Sequence, residues 1–215
     1  MGRRNKNEPK DPIEALGRFQ RQGALLADED AVLTMLSNES DRGVVLILGS
    51  FIEDDLAEAI CKKFKPMSST EPQTMVERGP LKDFNSRVLM GRALGIISEA
   101  DARVLGVIKA MRNACAHSRR DITFGTPELL DALYMMLSPQ DVAILQRSRS
   151  QWVARATFIY ACSYVMGVFR GETAEQAHRR IRGAQEDLRR EALREAERRE
   201  AAQEKPTGKP APSSR

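Results

Sequence analysis

Between Asp41 and Phe64 the apolar residues Leu48, Ile52, Leu56, Ile60 and Phe64 recur every four positions. That spacing keeps them on one stripe of an α-helix. Glu53, Asp54, Asp55 and Glu58 precede Lys62 and Lys63, the charge order that a helix dipole favours. The first half of the segment, Val44-Val45-Leu46-Ile47-Leu48, is β-prone and by itself passes for a buried strand. The second half decides for one helix over 41–64. Asn38-Glu39-Ser40-Asp41, just before it, is rich in residue types that cap helix starts.

The same periodicity continues along the chain. Residues 12–38 predict one or two short helices anchored by Leu16, Phe19, Leu25, Leu26, Val32, Leu33 and Leu36. Residues 65–81 hold three prolines and read as a loop or flap. A helix is expected over 83–94, ended by Gly95. Another is expected over 98–117, with Ser98 as cap, Asp101 at its third position, and Val104, Ile108, Met111 and Cys115 on one face. A polar turn, 118–125, leads to helices at about 126–137, 139–148 and 150–170. The last carries Trp152, Phe158, Ile159, Tyr160, Val165, Met166 and Phe169 and should be central to the core. Aromatics are only 5% of the residues, which argues against a sandwich or barrel. The fold class is therefore all-α, a single multi-helix bundle over 12–170, flanked by a flexible basic arm (1–11) and a disordered tail (204–215).

Residues 172–203 differ in composition. From Glu172 to Glu200 eight Asp/Glu offset eight Arg. Ala174, Ala177, Ile181, Ala184 and Leu188 follow heptad spacing, a seam about two heptads long and poor in large residues. Two readings stand: a solvated charged helix held by pairs four residues apart, or a partner or dimer helix. A basic nucleic-acid arm does not fit, because the acids neutralise it.

Several function classes are disfavoured. The net charge of +4 is too small to announce a nucleic-acid binder. No phosphate-binding loop, dinucleotide fingerprint, nucleophile elbow or zinc-protease motif occurs. The two histidines, His117 and His178, are far apart, and the three cysteines, Cys61, Cys115 and Cys162, are scattered in apolar patterns. No metal site, disulfide framework or cofactor is expected, and the thiols should be buried and reduced. The N-terminal residues are polar and basic with no apolar region after them, so no secretory signal is indicated. The longest nearly uncharged run is read as Val44 to Ile52, far too short to span a bilayer, and a cytoplasmic, membrane-free protein is expected.

One short string could carry chemistry. Met111-Arg112-Asn113-Ala114-Cys115-Ala116-His117-Ser118 closes the 98–117 helix. Asn113 and His117 share a face, with Arg112 adjacent, where a helix dipole favours a protonated imidazole. Structurally, His117 would cap orphan carbonyls and Arg112 would pair with a carboxylate of a neighbouring helix. Asp55 is the candidate, since it lies within the stripe of Leu48, Ile52, Leu56 and Ala59. A helix-turn-helix over 84–117 has suitable lengths and a glycine in its turn. Its details fit poorly: Gly91 takes the place of a small alanine, Asp101 that of an apolar residue, and Ser98, Glu99 and Asp101 would meet phosphate.

The wider pattern is more specific. Glu39-Ser40-Asp41-Arg42-Gly43 leads a helix that reaches Phe51-Ile52-Glu53-Asp54-Asp55-Leu56. Phe84-Asn85-Ser86-Arg87, Ala93-Leu94-Gly95-Ile96-Ile97-Ser98 and Arg112-Asn113 with Ala116-His117-Ser118 follow in order. In this arrangement residues 30–170 resemble the mannitol operon repressor family. The resemblance implies an all-helical transcriptional regulator of sugar-alcohol uptake genes that lacks an obvious DNA-binding motif and acts through a partner protein. Direct contact with nucleic acid would be at most weak, from Arg3, Arg4, Lys6 and Lys10. It also implies a polar cluster of Asp41, Arg42, Glu53, Asp54, Asp55, Arg87, Arg112, Asn113 and His117. Arg112-x4-His117 further resembles the signature of HEPN-type helical domains, many of them metal-independent ribonucleases active as dimers. By that resemblance His117 would take the proton of a ribose 2′-OH, Arg112 would stabilise the phosphorane and Asn113 would orient the phosphate. The two readings stay open: a non-enzymatic regulator and, as the alternative, a ribonuclease. A homodimer is compatible with either.

Overall fold

A computed structural model of the chain describes residues 35–65, 68 and 70–203. The expected basic arm, most of the first helical segment and the C-terminal tail lie outside the described residues. The chain divides into two units, Met1–Glu39 and Ser40–Arg215, and all helices named here belong to the second. They are α1 (Asp41–Cys61), α2 (Glu71–Glu77), α3 (Phe84–Ala93), α4 (Glu99–His117), α5 (Pro127–Tyr134), α6 (Pro139–Ser148), α7 (Gln151–Phe169) and α8 (Ala174–Gln203). Among the described residues there is no strand, and the fold is an all-α bundle.

The β-prone run inside α1 is helical because α1 is enclosed. It packs against α3, α4 and α7. Val44, Val45, Leu48, Ile52, Leu56 and Ile60 are all buried, more than one stripe of the helix. A helix covered from several sides needs apolar residues around most of its girth. Ser40 starts it, its hydroxyl accepting the Gly43 N–H at 3.0 Å. Phe64 falls outside the helix and is half-buried.

Caps set the other starts. Asp83 accepts the Ser86 N–H at 3.0 Å. Ser98 and Asp101 form a complete capping box on α4. Ser138 caps α6, with Pro139 in its first turn, where the missing N–H costs nothing. Thr173 and Gln176 exchange backbone-to-side-chain bonds at 2.8 and 3.2 Å ahead of α8. Gly171, at φ +90°, reverses the chain between α7 and α8 in a conformation that glycine adopts without strain.

Five expectations are corrected. The segment read as a loop, 65–81, contains α2, because Pro72 sits in the first turn of that helix, where proline is tolerated. The helix expected to reach 137 stops at Tyr134, since Ser138 precedes proline and is extended at ψ 154°. The turn 118–125 is not wholly polar: Phe124 is fully buried and meets Phe158 at a ring distance of 5.5 Å. Trp152 is 53% exposed, because the inward stripe of α7 runs through Ala154, Phe158, Cys162, Val165 and Phe169 and Trp152 lies off it. The uncharged run Ala156–Phe169 also exceeds Val44–Ile52. By length and composition alone α7 could cross a membrane, yet its buried stripe packs in the bundle against α1 and α8.

The charged helix α8 lies against α6 and α7. Ala177 and Ile181, both on the expected heptad seam, are buried. Arg180 reaches across to Ser163 O at 3.0 Å and to Glu172 at 3.1 Å. Gly167 makes room for that pair, since a Cβ there would stand 2.5 Å from Arg180 Nη2 and from Glu172 Oε2. One side of α8 is thus docked by small residues, and the other keeps its charges in solvent.

The three cysteines are free; Cys115 and Cys162 are buried and Cys61 is half-buried. Burial pushes all three thiols above their ordinary value. Only the thiolate is reactive, so access and proton loss together should rank them. Native protein treated with a thiol reagent should modify Cys61 first, with Cys115 and Cys162 reacting only after denaturant is added. Rapid native modification of Cys162, read by peptide mass, would contradict the packing of α7.

Candidate functional site

Five of the nine polar residues singled out in the sequence, Asp41, Arg42, Glu53, Arg87 and Arg112, form two clusters on α1. They are separated by about 18 Å, twelve residues at a rise of roughly 1.5 Å each. The first surrounds Glu53, on the α1 turn that faces α3 and α4. Arg87 of α3 is only 5% exposed and donates through Nε to Leu81 O at 2.6 Å and through Nη1 to Glu53 O at 3.0 Å. Its Nη1 also lies 3.4 Å from the Glu53 carboxylate. Arg112 of α4 donates to the other carboxylate oxygen, Glu53 Oε2. One acid therefore holds two guanidiniums and ties α1, α3 and α4 together. Gly49, one turn earlier, lets Arg112 lie across α1: a Cβ there would be 2.8 Å from Arg112 Cδ.

The second cluster lies at the start of α1. Asp41, buried, accepts from Phe124 N at 2.8 Å, Gln151 Nε2 at 2.6 Å and Arg155 Nη1 at 2.7 Å. Arg42 donates through Nε to Cys115 O at 2.6 Å and through Nη2 to Ser118 O at 2.5 Å. These are carbonyls at the C-terminal end of α4, which the helix leaves without internal partners. Arg42 thus fills the capping role expected of His117.

The structure departs from the expected pairings in further ways. Arg112 pairs with Glu53 rather than Asp55. Asp55 instead faces the field of Arg170 at the end of α7, and burial outweighs that attraction and raises its carboxyl above the ordinary value. Burial raises Asp54 as well, against the opposing pull of Arg87 and Arg112. Asn113 and His117 are exposed. Arg112 and His117, five residues apart, stand about 140° apart around the helix axis at roughly 100° per residue. Gln151 and Arg155 escaped the sequence reading. The one signal for Arg155 was a lone charge leading the uncharged run of α7, which made it a candidate for a buried ion pair.

The helix-turn-helix reading finds its polar residues engaged in structure. Asp101 serves the capping box, Oδ2 accepting from Ser98 N at 2.8 Å. Glu99 pairs with Arg92 and lies 3.9 Å from Arg103. Gly91 fits closely against Leu56, whose Cδ1 would be 3.1 Å from a Cβ there. No group of His, Cys, Asp and Glu among the described residues could hold a metal ion. No protein-family model matches the chain, and no curated protein or solved structure is significantly similar to it.

Chemically, the Glu53 cluster is a strut. Its carboxylate is shared by two cations, and one of them, Arg87, is buried. Glu53→Gln should destabilise the fold by about 3–5 kcal/mol in urea unfolding, because it leaves two guanidiniums without their counter-ion. Glu53→Gln with Arg112→Met should cost less than the sum of the single changes. Additive losses would show that the pair is not coupled.

Asp55 gives a pH test. Its carboxyl, raised by burial, holds a proton more tightly in the folded chain than in the unfolded chain. Stability from that difference is complete below the ordinary value of 3.8 and is lost as pH rises through the raised folded value. Asp55→Asn should therefore be more stable than the parent at pH 7 and equal to it near pH 3. A variant less stable at pH 7 would mean that the Arg170 attraction outweighs burial.

Proposed function

We propose that the chain is a transcriptional regulator of the mannitol operon repressor type, cytoplasmic and not an enzyme, acting through a protein partner. The observation that carries this reading is the commitment of Arg112 to Glu53. A ribonuclease of the HEPN type needs that guanidinium directed at a phosphorane, beside the histidine. Here the cation is held by Glu53 and braces α1 against α4. Of the nine residues in the cluster that the resemblance implies, Asp41, Arg42, Glu53, Arg87 and Arg112 serve as braces between helices, and Asp54, Asn113 and His117 are exposed. A scaffold braced in this way supports a surface for contacts rather than a reaction centre. The distal part of α8 supplies such a surface. It extends about 20 Å past Arg189 at 1.5 Å per residue and carries exposed Arg190, Arg194, Glu197 and Arg198.

A strain lacking the gene, complemented with the full chain or with a chain ending at Leu193, tests the proposal. The full chain should change a defined set of transcripts. The shortened chain should remain helical, because Ala177, Ile181 and Arg189 are retained, and should lose that change. Identical transcripts with and without the full chain would overturn the regulatory reading. Purified protein incubated with labelled single-stranded RNA in EDTA should leave it intact. Cleavage that disappears in both His117→Ala and Arg112→Ala would establish the ribonuclease instead.

A further inference from the structure

A cavity of about 290 Å³ lies where α4, α6, α7 and α8 meet. Val104, Leu145, Val153 and Ile181 supply apolar walls, and Asp101 and Tyr164 supply polar atoms. The volume is about twice the roughly 150 Å³ of an apolar cavity that takes up benzene. A compact molecule with one ring and a short side chain therefore fits.

The chemistry of the walls selects the ligand. Asp101 is 8% exposed. Its Oδ2 accepts the Ser98 N–H at 2.8 Å and the Ser98 hydroxyl at 2.7 Å. Its Oδ1 accepts no hydrogen bond among the described residues, and Asp101 has no ion pair among them. The arginine on the far wall, Arg189, is held by Asp141 at 2.6 Å. The capping box and the positive end of the α4 dipole hold Asp101 ionised, and Oδ1 keeps lone pairs that a cation in the bordering cavity can take. Tyr164 lies within the field of that carboxylate, which together with burial pushes its hydroxyl up. Its ring packs on His178 at 4.6 Å and joins α7 to α8 beside the cavity.

We propose that this cavity binds a compact organic monocation, an amine with an apolar body, whose ammonium donates to Asp101 Oδ1 while its hydrocarbon part fills the space between Val104, Leu145, Val153 and Ile181. The site discriminates by charge. Anions are repelled by the carboxylate, and neutral isosteres gain no charged hydrogen bond from it. Because Ile181 and His178 belong to α8, an occupied cavity adds contacts to that helix. The site rests on the cavity and Asp101, and it stands or falls separately from the regulatory reading.

Calorimetric titration of the full chain with 2-phenylethylamine, 2-phenylethanol and 3-phenylpropanoate tests the site. The amine should bind one to one, about tenfold or more tighter than the alcohol, the range of a single charged hydrogen bond, and the carboxylate should give no heat. Asp101→Asn retains an oxygen for the Ser98 N–H and should remove the preference for the amine. Ala161→Phe places a ring in the cavity and should abolish amine binding with an unchanged circular dichroism spectrum. No heat with the amine, equal affinity for amine and alcohol, or undiminished amine binding in Ala161→Phe would each overturn the assignment.

Discussion

Burial of α1 from several sides governs the molecule. A helix packed against α3, α4 and α7 keeps an outer edge for Asp54 and Glu58, but Asp41, Arg42 and Glu53 fall where it meets its neighbours. Each must be answered from a neighbouring helix, because an unpaired buried charge costs several kcal/mol. Arg87 and Arg112 answer Glu53, Arg155 answers Asp41, and the end of α4 answers Arg42. These pairings fix which turns of α3, α4 and α7 face α1. Apolar packing alone constrains that register loosely, since many leucine and isoleucine contacts have similar energy.

The same demand explains where the two ends of the Arg-x4-His string lie. Arg112 lies on the flank of α4 that meets α1, where an acid already waits. His117 lies on the final turn, exposed, and the carbonyls it could have capped belong to Arg42.

α8 shows how a balanced charged helix becomes part of a bundle. Its acids and arginines cancel, which leaves a narrow seam of small apolar residues to decide its place. Ala177 and Gly167 allow close approach, and Arg180 and Arg189 then find acceptors on the preceding hairpin and on α6. Docked there, α8 forms one wall of the cavity that holds Asp101. A capping residue thereby borders a cavity, a consequence that no local property of the Ser98–Asp101 box foretells.

The sequence by itself determined the secondary structure class, most helix starts and five members of the polar set, Asp41, Arg42, Glu53, Arg87 and Arg112. These follow from local rules: periodic burial, capping hydroxyls, and charges too costly to leave in an apolar stripe without a partner. The expectation that Arg112 would find a carboxylate on the 41–64 helix followed from the same rule. Which carboxylate it found was a tertiary matter. Glu53 and Asp55 are two residues apart, about 200° around the helix at roughly 100° per residue, and only the side on which α4 packs distinguishes them. Tertiary packing likewise put Phe124 inside and Trp152 outside, gave the end of α4 to Arg42, and closed a cavity around Asp101. Each outcome depends on which surfaces meet across residues far apart in the chain, and periodicity along one segment carries no record of that.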